Sequence, residues 1–302
     1  MARLDQELVA RGLARSRTHA AKLIAAGRIS RAGTVLGKAS AAIGAEDPLS
    51  VLDDGVPDYV SRAGHKLAGA LDAFPQVRPA GLRCLDAGAS TGGFTDVLLR
   101  RGAERVVAVD VGHGQLVDVL RGDPRVEVHE GMNVRYLDAG AIGGPVDLTV
   151  ADLSFISLTL VLAPLAAATR PGGSLLLMVK PQFEVGREKL EKAGVVVDPE
   201  KHRMAVTRVV CAAMAENLRV AGLARSPLPG QNGNVEFFLW LQAAAPDRQP
   251  AVRPDDAQAA ARRLVDQAFD GFDGAGPEPA TERFADEARP SGHSGRKLAP
   301  EG

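Results

Sequence analysis

Cysteine is close to absent: Cys84 and Cys211 are the only two in 302 residues. Two thiols cannot build the disulfide framework of a small secreted fold. Neither has metal-ligand spacing, so both are expected as buried thiols, Cys84 in an apolar strand and Cys211 in a helical stretch. No uncharged apolar run reaches 18 residues, which excludes a membrane-spanning helix. The opening MARLDQELVARG carries acids and has no apolar centre, so it does not read as a secretory signal. The six histidines form no cluster with cysteines or carboxylates at metal spacing, and no metal is expected. The single tryptophan, Trp240, lies in an apolar run and is expected in the core. A cytoplasmic protein that uses neither membrane nor metal is the default.

An excess of one charge is also missing, since 36 Lys/Arg face 37 Asp/Glu. That balance hides an asymmetry. Residues 1–40 hold eight Lys/Arg against Asp5 and Glu7, a net of +6, and residues 243–302 carry a net of −3. A basic head of this kind points to a polyanionic partner, and Arg3, Arg15, Arg17, Lys22 and Arg28 are its candidate RNA contacts. Singly, each reads as a charge on a solvated helix face; the cluster is what favours RNA. Affinity should then fall with salt.

Residues 1–56 read as a small α+β unit. RLDQELVARG and SRTHAAKLIAAG have helical apolar spacing and end in glycine, with Ser16 as N-cap of the second. RISRAGTVL and PLSVLD follow as short strands. Residues 57–60 read as a linker. Residues 61–242 alternate strand and helix signals: RCLDAG, RVVAVDV, VDLTVADL and SLLLMVK as strands, TDVLLRRG and KHRMAVTRVVCAAMAENLRVAG as helices. This alternation predicts an α/β fold with a doubly wound, mostly parallel sheet, closed by an antiparallel terminal hairpin at LARSPLPG and VEFFLWLQ. Residues 243–302 read as a tail with one helix over 255–269 and disorder after Gly271.

Lys66, Asp152, Lys180 and Glu236 fall at the ends of predicted elements that such a sheet brings to one edge. Ligands of open α/β sheets lie beyond the carboxyl ends of the strands. Any one of the four is more simply a surface charge; their joint placement favours a site. LDAGASTGGF follows a strand and precedes a helix, the context of a nucleotide loop. It lacks a P-loop lysine and is flanked by Asp86. Asp110 ends the next strand, 22 residues beyond Gly88, where an acid suits a ribose diol. An acid beside the loop suits a cationic ligand better than a pyrophosphate, and S-adenosylmethionine has the ribose, amine and sulfonium required.

RLDQELVARGLARSRTHAAKLIAAGRISRAGTVLGK resembles the S4 RNA-binding domain. YVSRAGHKL, LDAGASTGGFTDVLL, VVAVDVGHGQL, VADLSFISL, VKPQFEVG and SPLPGQNGNVEFFLWL together resemble the TlyA family of ribosomal RNA 2′-O-methyltransferases, also called haemolysin A. The resemblance runs from about Ala2 to Gln242. It implies a Rossmann-like methyltransferase of the FtsJ type that uses S-adenosylmethionine on cytidines of 16S or 23S rRNA or both. It also implies that Lys66, Asp152, Lys180 and Glu236 are a catalytic tetrad. Cofactor contacts are implied for Asp86, Gly88, Ala89, Ser90, Thr91, Gly92, Phe94, Asp110 and Asn133. Two departures stand out: Pro57-Asp58 precedes Tyr59 where some members have arginine or another residue and tryptophan, and Met132 replaces a threonine before Asn133.

In that reading Lys180 is the candidate base, or else an orienting donor to the ribose hydroxyl. Lys66 holds ribose or phosphate, Asp152 orients Lys180, and Glu236 holds the lysines. Phe155 and Phe183 follow Asp152 and Lys180 and either pack or flank a flipped base, with packing slightly ahead. The competing classes are a non-catalytic ribosome-assembly factor, a membrane-lytic protein and a pseudouridine synthase. The loop and tetrad favour the enzyme, and no amphipathic membrane helix supports lysis.

Overall fold

The computed structural model describes residues 2–53, 55, 57–186, 194–244 and 254–274. They form two units that meet in sequence between Asp58 and Tyr59.

The first unit runs β1 (Ala2–Arg3), α1 (Leu4–Ala10), α2 (Arg17–Ala25), β2 (Ile29–Arg31), β3 (Thr34–Val35), β4 (Ala42–Ile43) and β5 (Leu49–Val51). The expected cap is present: Ser16 Oγ accepts from the His19 amide at 3.1 Å. Strand β1 pairs with β4, and β2 is the centre of a three-stranded antiparallel sheet between β3 and β5. Leu4, Leu8, Leu23, Ile24, Ile29 and Ile43 make its small core.

The second unit runs α3 (Arg62–Ala73), β6 (Arg83–Ala87), α4 (Gly93–Arg100), β7 (Arg105–Asp110), α5 (Asp118–Arg121), β8 (Val126–Glu130), β9 (Val146–Ala151), α6 (Leu162–Ala168), β10 (Thr169–Val179), α7 (Pro181–Glu184), α8 (Pro199–Ala215), β11 (Leu218–Arg225), β12 (Phe237–Ala243) and α9 (Pro254–Gly274). Seven strands make one sheet in the order β11-β12-β10-β9-β6-β7-β8. The strands from β10 to β8 are parallel, and β12 is antiparallel to both its neighbours. Apolar side chains cover both faces, with Leu175, Leu177 and Leu239 on one side and Leu176, Met178 and Phe238 on the other. Cys84 is buried and Cys211 half-buried, both free. Trp240 is in the core, as expected.

Three expectations need correction, and one strand, β8, carries no sequence signal. Tyr59 and Val60 are not linker: Tyr59 is buried in the second unit's core, and the Val60 amide donates to Asp96 at 2.9 Å. Val56, the preceding residue, lies outside the described residues. The helix read as continuing to Gly222 stops at Ala215. Asn217 turns left-handed with φ 56°, and the LRVAG that follows is strand β11. β8 gives no apolar run because VEVHE alternates on a sheet edge. Helix α9 runs to Gly274, past the predicted end at 269 and into the stretch read as disordered. It packs along α8, and Phe237, Phe269 and Phe272 form one ring cluster. The rest of the tail lies outside the described residues.

Candidate active site

The strand register brings three of the four charged residues to one edge. Val179 pairs with Phe237 and Leu177 with Ala151, so Asp152, Lys180 and Glu236 flank paired positions at the carboxyl ends of β9 and β10 and the start of β12. Lys66 differs from expectation, for it sits in the second turn of α3 rather than at an element's end. It still reaches the edge: Lys66 Nζ donates to Glu236 Oε2 at 2.5 Å. Lys180 Nζ lies 2.6 Å from Asp152 Oδ1 and donates to Ser154 Oγ at 2.9 Å. Two ion pairs thus share the edge, each lysine buried beside its acid. Breaking such a pair by removing one partner costs about 3–5 kcal/mol, because a buried charge is left alone.

Glu236 is 2% exposed, and its carboxylate fits against Gly230. A Cβ on Gly230 would sit 2.1 Å from Oε1. The turn between β11 and β12 is fastened by Asn234. Its Oδ1 accepts from the Val196 amide at 3.0 Å, and its Nδ2 donates to Gln231 and Gly194 carbonyls. Gly64 and Gly93 let α3 lie against the start of α4: a Cβ on Gly64 would meet Tyr59 at 2.5 Å, and one on Gly93 would meet Ser61 Oγ at 2.2 Å.

The glycine loop adjoins the ion pairs. The Asp152 amide donates to Ala87 O at 3.2 Å, and a Cβ on Gly88 would stand 2.9 Å from Asp152 O. Ser90 and Thr91 are exposed, Ala89 is buried, and Gly92 turns into α4 with φ 97°. Asp110 accepts the Ser90 amide at 2.8 Å and the Gly112 amide at 2.7 Å, so it shapes the loop from the next strand. Asn133 is exposed beyond β8 and caps the turn Val134–Tyr136 through the Arg135 amide at 3.0 Å.

Two residues expected at the cofactor are buried among protein atoms. Phe94 is 2% exposed and stacks on Phe238 in the core, because the first turn of α4 directs it under the sheet edge. Asp86 has no exposed surface and accepts from Thr95 Oγ1 at 2.6 Å, while its Oδ1 has no partner among the described residues. Burial pushes its carboxyl up to about 7 against the hydrogen bonds from Thr95, and the charges of Asp152 and Asp110 push the same way. The loop is thus bordered by the Asp110 carboxylate, which holds its amides, and by the buried Asp86 carboxyl.

Phe155 is 88% exposed, held left-handed at φ 64°, and its ring lies 5.3 Å from that of Phe183. Lys180 Nζ lies 5.9 Å from the Phe183 centroid. Packing describes the half-buried Phe183 but not Phe155. Glu184 is a buried link beside the site that sequence reasoning missed. Buried in α7, it accepts from Ser157 Oγ at 2.6 Å and from the Leu158 amide at 2.8 Å. It thereby ties the segment carrying Ser154 and Phe155 to the helix that starts beside Lys180. Burial raises its carboxyl above the usual range, against the hydrogen bonds of Ser157 and Leu158. Its only sequence signal is its place in VKPQFEVG.

Of the five candidate RNA contacts, Arg3, Arg15 and Arg17 are ion-paired within the first unit, and Arg28 Nε donates to Leu52 O at 3.0 Å. Lys22 is an exposed residue of α2. Among the described residues, no group of three His, Cys, Asp or Glu could hold a metal ion, and no helix is long and apolar enough to cross a membrane.

The family model of FtsJ-like methyltransferases matches residues 59–243, and that of the S4 domain matches residues 2–49. The chain is 50% identical over 256 residues to the 16S/23S rRNA (cytidine-2′-O)-methyltransferase TlyA of Mycobacterium tuberculosis, covering 85% of this chain and 95% of that one. It is 33% identical to Hemolysin A of Brachyspira hyodysenteriae, covering 78% and 98%. A solved Streptococcus thermophilus structure described as a candidate hemolysin superposes with TM-score 0.64 at 36% identity, covering 90% of this chain and 96% of that one. With these matches spanning both units, the chain belongs to the TlyA family, an S4 domain joined to an FtsJ-like methyltransferase domain.

Proposed function

We propose that this chain transfers a methyl group from S-adenosylmethionine to the ribose 2′-hydroxyl of a cytidine in ribosomal RNA, 16S, 23S or both, in the cytoplasm. The observation that carries the reading is the two ion pairs, Lys66–Glu236 and Lys180–Asp152, beside the glycine loop. Bound S-adenosylmethionine supplies a methyl already activated by its sulfonium. Gly88 to Gly92 and Asp110 would hold it, with the Asp110 carboxylate beside the loop amides.

The remaining work belongs to the protein's own side chains. A ribose hydroxyl is a weak nucleophile, so it must first be held in line, an effect that can supply about 7–11 kcal/mol. Lys180 Nζ, fixed between Asp152 and Ser154, orients the 2′-oxygen. As the oxygen attacks, its proton passes to the Lys180–Asp152 pair. Lys66, fixed by Glu236, holds the neighbouring ribose or phosphate oxygen. Phe155 and Phe183 offer an aromatic face for the target base beside Lys180. The haemolysin reading finds no membrane-spanning helix among the described residues to support it.

The test is transfer of labelled methyl groups to isolated 30S and 50S particles, followed by mapping of the modified nucleotide. The expected product is a cytidine whose 3′ linkage resists alkali, since its 2′-oxygen is blocked. Label on a base, or no label on either particle, would overturn the proposal.

A further inference from the structure

Arg3 and Arg17 come from different elements, β1 and the start of α2, yet they share one carboxylate. Arg3 Nε donates to Asp5 Oδ1 at 3.0 Å, and Arg17 donates to Asp5 Oδ2 through Nε at 3.2 Å and Nη2 at 2.8 Å. Asp5 is 5% exposed in the first turn of α1. Its backbone is pinned, with its amide donating to Ala39 O at 3.2 Å and that of Leu4 to Ala41 O at 2.8 Å. The arginine side chains remain 48% and 62% exposed.

Each guanidinium has five N–H donors in a planar fork. Asp5 occupies the Nε side of both. Both Nη groups of Arg3 and the Nη1 of Arg17 make no hydrogen bond to the protein among the described residues. The two arginines are thus held by their inner edges to one fixed acid, with their outer donors free. That arrangement matches a group with several anionic oxygens, for which guanidinium forks are suited. As a charge, Asp5 repels such a group, so any contribution it makes to binding must come through geometry. The arginines hold its carboxyl down at about 2, so it stays ionised throughout the working range.

We propose that Asp5 is a positioning residue that yokes Arg3 and Arg17 into one site for an RNA backbone phosphate. This rests on the RNA-directed function proposed above, with the basic head as an RNA contact. It sets geometry against net charge, and the two predict opposite signs for one substitution.

The full-length protein is titrated with deproteinised 16S and 23S rRNA across a salt series. Asp5→Asn raises the net charge by one, so charge alone would tighten binding. The positioning role predicts that it weakens binding by about three- to tenfold, the worth of one ordinary hydrogen bond. The slope of log affinity against log salt should shrink by roughly 0.7–0.9, the value of one phosphate. In an Arg3→Ala, Arg17→Ala background, Asp5→Asn should weaken binding no further, which a merely structural role would not produce.

Thermal unfolding checks that Asp5→Asn folds. Should it not, Arg17→Lys serves instead, since it keeps the charge and Asp5 but loses the fork; it should also weaken binding. Asp5→Asn, or Arg17→Lys in its place, binding as tightly as the parent while Arg17→Ala weakens would overturn the inference. If neither Arg3→Ala nor Arg17→Ala weakens binding, the inference is overturned as well; if the parent's affinity does not fall with salt, it is the underlying reading of the basic head that fails.

Discussion

Gly230→Ala should slow the enzyme strongly while sparing its fold. The backbone at Gly230 is extended (φ −72°, ψ −166°), a conformation any residue adopts, so no backbone strain arises. The new Cβ would stand 2.1 Å from Glu236 Oε1 and 2.5 Å from its carboxyl carbon. No backbone atom is struck, and the Gly230 amide keeps its 2.8 Å bond to Asn234 O. The carboxylate must therefore retreat by more than an ångström, and it leaves Lys66. Stretching that contact from 2.5 Å to about 4 Å costs about 2–3 kcal/mol at an effective dielectric near 20. Expressed at the transition state, this is a loss of roughly 30- to 150-fold in rate. Overpacking of this size costs about 1–3 kcal/mol of stability. Gly233→Ala is the control, for its Cβ would meet nothing within 4 Å although φ is 86°. It should cost a little stability and leave the rate alone. Single-turnover transfer, cofactor calorimetry and thermal unfolding read the three quantities. A folded Gly230→Ala variant with the parent's rate would refute the claim that the Glu236 position governs catalysis.

Two further outcomes follow from buried acids. Asp86 has a folded value of about 7 against 3.8 unfolded, so its contribution to stability is complete below about pH 4 and is lost as pH rises through 7. Relative to the parent, Asp86→Asn should therefore be more favourable at pH 8 than at pH 5 in chemical unfolding, and a pH-independent difference would contradict the buried-acid account. Glu184→Ala should lower single-turnover transfer by about tenfold or more through the loosened Ser154–Phe155 segment, with cofactor affinity kept. Glu184→Gln, which retains an acceptor for the Leu158 amide, should recover most of the rate; equal rates in the two variants would contradict the latch.

What could be read from the sequence follows from the range of the interactions. VDLTVA and SLLLMV are legible because a strand buried on both faces must be continuously apolar, and their ends then locate Asp152 and Lys180. The glycine loop is legible because its turn is local. LRVAG is not, since five apolar-rich residues fit a helix or a strand and only Asn217 divides them. Phe94 misleads because a position beside a binding loop does not fix which way a helix's first turn points. Gly230 and Glu184 are silent for the same reason: each acts on a partner met only after folding, Glu236 and the Ser157–Leu158 backbone. The shared use of Asp5 by Arg3 and Arg17 is likewise a fact of the fold, and the net charge of the segment conceals it.

Lys180→Ala tests the central claim most directly. Removing this amine leaves the glycine loop untouched, so calorimetry should find S-adenosylmethionine binding intact. Single-turnover transfer to ribosomal particles should disappear. Methyl transfer at the parent's rate in that variant would contradict the account, because the two ion pairs would then be a structural edge and not the site of reaction.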